Sequence, residues 1–231
     1  MYDIACSSSL VALDAAVSLL QMGKCDMALV AGAIKLFVKQ VFEGCTRAGM
    51  LSPTGRCHTW DASAGGYLRR EGCGAILLVS TNTAKPGSVY ANVLGASVTL
   101  DGKSASTTAP NSSAQERLIK KALEESGINP SDVDYIEAHG TGTALGDPIE
   151  IEALADVFAE SKTESRPLMV GSVKSNIGHL EGAAGIVGLI KAVLVLTEEC
   201  VPSNVGLNNL NPLIKKTIQS HEFPIKFPKK R

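Results

Sequence analysis

The apolar positions fall into short blocks that switch between helical and strand-like spacing. Val11, Leu13, Val17 and Leu20 stand among small residues from Ser7 to Met22, and Gly23 follows. This spacing predicts a buried helix closed by glycine. Met27 to Ala33 is a short unbroken apolar run and reads as a buried strand. Residues 44–74 are rich in Gly, Ser, Thr and Arg and read as a long loop region, with a strand emerging at Ala75 to Ser80. Lys85-Pro86-Gly87 is a turn, and a strand is expected from Val89 to Val98.

Ser113-Ala114-Gln115-Glu116 has the form of a capping box. It opens a helix with Leu118, Ile119, Ala122 and Leu123 on one face, ending at Gly127. Val133 to Ala138 reads as a strand. Asp147-Pro148-Ile149-Glu150 has the form of a second capping box with proline at the first helical position. Its helix is expected to bury Ile151, Leu154, Ala155 and Phe158. Leu168 to Ser172 is a further strand, and a glycine- and alanine-rich helix follows from near Glu181. Strands alternating with helices give an α/β protein with a largely buried sheet. No tandem repeat of short period is visible.

Composition narrows the function classes. The 231 residues carry 22 Lys+Arg against 23 Asp+Glu, and 45% are hydrophobic. That is a globular composition rather than a disordered one. The net charge of −1 argues against nucleic acid as the main partner, because phosphate binding leaves a basic footprint. The basic end (Lys226, Lys229, Lys230, Arg231) reads as a solvated or truncated tail. No membrane span is expected: the most apolar run, Gly182 to Thr197, is too short and contains Lys191. The first residues lack the pattern of a secretory signal. The six cysteines (6, 25, 45, 57, 73 and 200) show no C-x-x-C spacing and read as reduced thiols of an intracellular, cytoplasmic protein, an organelle being the other possible setting. The sequon Asn111-Ser112-Ser113 is then without meaning.

Candidate chemistry starts at Cys6, in Asp3-Ile4-Ala5-Cys6-Ser7-Ser8-Ser9-Leu10. A thiol at a helix N-terminus is expected to have its pKa lowered by the dipole. The other reading of this segment is a buried structural cysteine. The remaining five cysteines read as core or loop residues. His139 follows Tyr135-Ile136-Glu137-Ala138 and leads into Gly140-Thr141-Gly142-Thr143, and His179 closes Lys174-Ser175-Asn176-Ile177-Gly178-His179 after another strand. Both stand where a strand's carboxyl end meets a glycine-rich turn, the place where open α/β sheets build sites. His58 and His221 lie in polar loops and carry no assignment. Two phosphate-loop readings fail on spacing: Gly140 to Gly146 has one residue too many for G-x-G-x-x-G, and Gly102-Lys103-Ser104 lacks the first glycine, Ser97 occupying its place. No metal site is expected, since neither histidine has an i, i+4 partner and no cysteine cluster supplies ligands. A thiol and two imidazoles without a metal or nucleotide motif point to covalent acyl chemistry.

The three segments together resemble the signatures of β-ketoacyl synthase (ketosynthase) domains of modular polyketide synthases and animal-type fatty acid synthases. Leu51-Ser52-Pro53-Thr54-Gly55-Arg56-Cys57 and Gly66-Tyr67-Leu68-Arg69-Arg70-Glu71-Gly72 resemble the family as well, and the similarity runs nearly end to end. The resemblance implies a thiolase-like fold of two similar α/β halves, the first here spanning 1–88 with the nucleophile and the second 89–231 with both histidines. It implies decarboxylative Claisen condensation. Cys6 would take an acyl chain from an acyl carrier protein. His139 and His179 would polarise the malonyl carbonyl and stabilise the enolate. Lys174 would tune the network, Thr141 and Thr143 would contact the phosphopantetheine arm, and Asn176 would also bind substrate. No cofactor would bind directly, and the full-length parent would be a homodimer.

Against the family pattern the chain is expected to be truncated at both ends. The family has a long portion before the nucleophile. It also continues past Arg231 into a Gly-Phe-Gly-Gly-Thr-Asn-like loop that supplies one donor of the oxyanion hole, the Cys6 amide being the other. Leu100 and Arg70 replace a usual polar residue and a usual glycine, and the Ser203-Asn204-Val205-Gly206 stretch also departs. The alternative from another class is a catalytically silent scaffold or interaction fragment that needs the missing strands from another chain. A degradative thiolase is disfavoured by the two-histidine pattern.

Overall fold

In the computed structural model, residues 1–102 and 110–229 are described. Lys103 and Ser104 of the phosphate-loop reading, and Lys230 and Arg231 of the basic end, lie outside them. The elements in chain order are α1 (Ser8–Gln21), β1 (Met27–Ile34), α2 (Lys39–Arg47), β2 (Gly72–Val79), α3 (Ser112–Ser126), β3 (Tyr135–Glu137), α4 (Gly146–Phe158), β4 (Leu168–Gly171), α5 (Lys174–Ile177), α6 (Ala184–Glu198), α7 (Pro212–Ser220) and β5 (Ile225–Lys226).

β1 and β2 pair antiparallel, Met27 opposite Val79 through Ile34 opposite Gly72. One face of this ribbon packs on α1 and α6 through Leu13, Ala16, Val30, Leu180, Ala183 and Ile186. Side chains alternate across a strand, so the other face is open. Val30 is 3% exposed while its neighbour Leu29 is 73% exposed. The expectation of a buried β1 is therefore corrected: its apolar run is continuous, but only one of its faces meets protein. Gly32 is needed here, since a Cβ on it would lie 3.0 Å from the Ala183 Cα and the Gly182 carbonyl.

The second sheet has the order β3-β4-β5, all parallel, Ile136 facing Val170 and Leu168 facing Ile225. α4 covers it with the four residues its spacing predicts, Ile151, Leu154, Ala155 and Phe158, packed on Leu168, Val170, Trp60 and Ile214. α6 touches both sheets, its apolar residues joining the core under β1 and β2.

Several expected elements need correction. No strand forms over 89–98: the segment has no ladder partner among the described residues, although Gly95 packs closely on Ser126. α2 occupies part of the expected loop; none of its residues is buried, so its apolar positions carry little core signal. α3 begins earlier than predicted, because Asn111 rather than Ser113 caps it by accepting the Ala114 N–H. The second predicted capping box does not form. α4 starts at Gly146, whose N–H donates to the Thr143 hydroxyl at 3.1 Å, and the Asp147 and Glu150 carboxylates are used elsewhere.

Candidate active site

Cys6 sits in a tight 3-10 turn, Ala5–Ser7, just ahead of α1. Its neighbour Ala5 has φ +54°, a left-handed conformation that L-residues enter at a cost. Three hydrogen bonds from two serines hold this turn. The Ile4 N–H donates to Ser8 Oγ at 2.9 Å, Ser8 Oγ donates to the Ala5 carbonyl and Ser7 Oγ to the Ile4 carbonyl. Ser9, buried, accepts the Ile186 N–H at 3.1 Å and pins α1 to α6. The hydroxyl run after the cysteine is thus the fastening of the nucleophile's turn.

His139 leaves the end of β3 in a loop fixed by two acids of α4. Glu150 accepts the His139 and Gly140 N–H groups at 2.6 and 2.8 Å. Asp147, fully buried, accepts the N–H groups of Gly142 at 3.0 Å and Trp60 at 2.8 Å. Gly142 has φ +75°, and a Cβ there would stand 2.7 Å from the His58 backbone nitrogen. Burial raises the Asp147 carboxyl to about 7, against the pull of its backbone donors. In the sequence both acids belong to the capping motif; nothing in the spacing shows that they reach back to the histidine loop.

His179 is clamped between backbone groups of Leu68–Arg70: its N–H donates to the Leu68 carbonyl at 2.7 Å and its carbonyl accepts the Arg70 N–H at 3.0 Å. The Glu181 N–H donates to His179 Nδ1 at 3.0 Å. A neutral imidazole with Nδ1 as acceptor carries its proton on Nε2, which is then a donor.

These elements bring Cys6, His139 and His179 together: one ligand-type atom from each lies within 4.8 Å of the others. The two imidazoles meet edge to face with centroids 5.5 Å apart, and Tyr67 packs its ring on His179 at 5.0 Å. Such spacing alone would admit a cation. The Glu181 N–H opposes it, because Nε2 cannot coordinate while it holds the proton.

Lys174 is buried in the first turn of α5, where it is the cation acting on all three groups. Burial lowers its own pKa, and Glu150 and Glu137 oppose that. Thr141 and Thr143 face each other at 3.1 Å between hydroxyls, and Thr143 also starts α4. Asn176 is exposed and turned outward, donating to the Ser203 carbonyl at 3.2 Å. His58 binds Thr54 and His221 binds Asp156, both away from the trio.

The expected lowering of the Cys6 pKa is not seen. Burial pushes the thiol up, and the Lys174 charge only partly offsets it. Desolvation of the sulfur is the largest influence, and Glu181 adds to it, so the Lys174 charge and a backbone hydrogen bond do not bring the thiol below its ordinary value. Burial and Lys174 push His179 down to about 3. His139 goes well below its ordinary value for the same reasons, with His179 adding to them; its surface remains partly exposed, and the Lys174 charge acts regardless. Both imidazoles are neutral at pH 7.

The neutral state of His179 has a measurable consequence. A free histidine titrates near about 6.5. Between that value and about 3 the unfolded chain binds a proton that folded His179 does not, so its contribution makes stability fall as pH drops through this window. Asp147 acts in the opposite sense, losing stability as pH rises toward about 7. The comparison of wild type with His179→Asn isolates the histidine. Urea midpoints from pH 7 to pH 4 are expected to fall more steeply in wild type, by up to about 1.4 kcal/mol per pH unit; equal slopes would contradict the assignment.

Two family models match the chain: the β-ketoacyl synthase N-terminal domain over residues 1–84 and the β-ketoacyl synthase C-terminal domain over residues 90–208. The chain belongs to the β-ketoacyl synthase family. This ketosynthase chain is 46% identical over 217 residues to a phenolphthiocerol/phthiocerol polyketide synthase of Mycobacterium bovis, covering 93% of itself and 12% of that protein. It is 44% identical to highly reducing polyketide synthase 40 of Fusarium mangiferae, covering 99% of itself and 9% of that protein. It therefore spans about a tenth of the curated relatives it matches. Among solved structures it superposes on the oxazolomycin ketosynthase domain OzmH KS7 of Streptomyces albus JA3453 with a TM-score of 0.92 and 35% identity, covering 99% of itself and 39% of that chain. The ketosynthase from module 6 of the bacillaene synthase of Bacillus subtilis 168 matches with a TM-score of 0.85 and 37% identity, over 92% of this chain and 39% of that one. The fold is thus that of the thiolase-like ketosynthases, a family of condensing transferases. Among the described residues no helix is long and apolar enough to cross a membrane.

Proposed function

We propose that this chain carries the acyl-accepting and condensing centre of a cytoplasmic β-ketoacyl synthase of the 3-oxoacyl-[acyl-carrier-protein] synthase type, serving polyketide or fatty acid synthesis. The observation that carries it is the convergence of Cys6, His139 and His179 within 4.8 Å, with the His179 Nε2–H free to donate. Cys6 Sγ attacks the acyl thioester delivered on the phosphopantetheine of an acyl carrier protein. A new S–C bond forms, the bond from the acyl carbon to the pantetheine sulfur breaks, and the Cys6 proton passes by way of an imidazole to the departing pantetheine thiolate. Because burial keeps this thiol protonated, the neutral imidazole of His139 is the natural first acceptor, both ring nitrogens of His179 being occupied. The imidazoles then donate to the malonyl thioester carbonyl, carbon dioxide departs, and the enolate carbon attacks the acyl carbon on Cys6, releasing its thiolate. Thr141 and Thr143 receive the pantetheine arm at the mouth, Asn176 lies further out, and the parent works as a homodimer. No directly bound cofactor takes part.

Intact-mass analysis after incubation with an acyl-pantetheine thioester tests the first step. One acyl adduct on the wild type and none on Cys6→Ala is the expected result. An adduct that persists in Cys6→Ala would remove Cys6 from this role.

A further inference from the structure

Glu181 follows His179 by two residues and has φ +40°, a left-handed backbone conformation in a residue with a full side chain. The amide between Leu180 (φ −92°, ψ 23°) and Glu181 is turned so that the Glu181 N–H reaches His179 Nδ1 at 3.0 Å. The conformation is costly for any residue but glycine, so something must hold it. The Glu181 carboxylate is bound by both sides of the Arg69 guanidinium, Nε on Oε1 and Nη2 on Oε2, the latter at 2.9 Å. The pair is sheltered, with side-chain exposures of 5% for Arg69 and 21% for Glu181. The fork is planar and bidentate, which fixes the carboxylate in direction as well as distance. Arg69 is fixed in turn: its backbone bridges His179, and the Phe42 ring of α2 lies 5.8 Å from its guanidinium.

We infer that the Arg69–Glu181 ion pair is a positioning device for His179. It holds Glu181 in the left-handed conformation, the Glu181 N–H then occupies Nδ1, and the proton of His179 is confined to Nε2, facing Cys6 and His139. Neither Arg69 nor Glu181 touches the reacting atoms in this scheme; they fix the histidine tautomer, and their opposite charges also bear on the site, Arg69 lowering the His179 pKa and Glu181 raising that of Cys6. Without the hold of the ion pair the Leu180–Glu181 amide can turn over, which exchanges the left-handed φ of Glu181 for an extended one and carries the N–H away from Nδ1. The inference rests on the proposed condensing role only for its effect on rate, since the tautomer is a property of the resting protein.

The deciding comparison is Glu181→Ala against Glu181→Gly, with Arg69→Gln alongside. Glycine enters the left-handed region without penalty, so Glu181→Gly loses the ion pair yet keeps the N–H within reach of Nδ1. Imidazole 15N spectra of His179 read the tautomer directly. Wild type is expected to show Nε2 protonated and Nδ1 free of its proton, Glu181→Gly the same, and Glu181→Ala and Arg69→Gln a mixture of the two tautomers. In the protein carrying this chain, kcat for malonyl decarboxylation is expected to fall about tenfold in Glu181→Ala and Arg69→Gln with little change in KM, and to recover most of that loss in Glu181→Gly. A merely structural ion pair gives the reverse order, because glycine adds backbone entropy to the loss. Wild-type tautomers in Glu181→Ala, or Glu181→Gly no better than Glu181→Ala in the spectra, would overturn the inference. Spectra that follow the expected pattern with unaltered decarboxylation would leave the positioning intact and instead remove His179 from the condensing role.

Discussion

His179→Ala is expected to lower decarboxylation of a malonyl thioester by about 10²–10³-fold, the cost of one donor aimed at a developing oxyanion. The reason lies in the state of the ring. His179 is neutral, since burial and Lys174 hold its pKa down at about 3, and the Glu181 N–H leaves its proton on Nε2. A neutral donor with a fixed tautomer suits an enolate oxygen: it strengthens its bond as negative charge grows without surrendering the proton beforehand. His139 brings the second imidazole, its backbone held by Glu150 and its ring 5.5 Å from that of His179. His139→Ala is expected to cost a similar factor. The double variant is expected to lose less than the product of the two, because both donors serve one charge. Carbon dioxide release measures this step, and intact mass on the same samples separates it from acylation of Cys6. A decline of less than threefold in either single variant would detach that histidine from the enolate.

Glu137→Gln is expected to be the most destabilising single change near the site, by about 3–5 kcal/mol. Glu137 on β3 and Lys191 on α6 are buried and 2.8 Å apart, with side-chain exposures of 8% and 10%. The contact is ionic rather than a well-aligned hydrogen bond: among the described residues Lys191 Nζ makes no hydrogen bond, and it lies over the Tyr135 ring at 5.9 Å. Glutamine leaves that ammonium buried without a countercharge. The carboxylate also accepts the Tyr135 hydroxyl and the Val173 N–H, so the reverse variant, Lys191→Met, leaves Glu137 with two donors and is expected to cost less. The double variant Glu137→Gln/Lys191→Met removes the orphaned charge and is expected to regain most of the lost stability. Urea midpoints of the four proteins give the coupling; strict additivity would mean the two groups do not sense each other.

Much of this architecture is legible in the chain, and the limits have physical causes. The helix over Ser8–Gln21, the four buried residues of α4 and the strands before each histidine all follow from local spacing. Local spacing leaves Cys6 open between a nucleophile and a structural thiol; the resemblance of the three segments to ketosynthase signatures singles out Cys6, His139 and His179, which the fold brings within 4.8 Å. What spacing cannot show is long-range use of polar groups. Asp147 and Glu150 fit a helix-start pattern, and only the folded loop reveals their carboxylates turned toward backbone N–H groups of the site. The thiol's environment differs from its expectation because sequence proximity to a helix start says nothing about burial. The strand expected over 89–98 rests on β-branched and apolar content, which cannot supply a pairing partner.

The helix α6, placed between the two sheets, has a bearing on how the protein is made. Its backbone meets Ser9 across a sequence separation of 177 residues, and contacts that distant form slowly. Within this chain the sulfur of Cys6 is synthesised long before the imidazole and the helix that complete its surroundings. Until they arrive the sulfur has neither the burial nor the Lys174 charge that set its state in the fold. The site is therefore completed by the last segments to be made, and the topology that delays folding also delays the meeting of the trio.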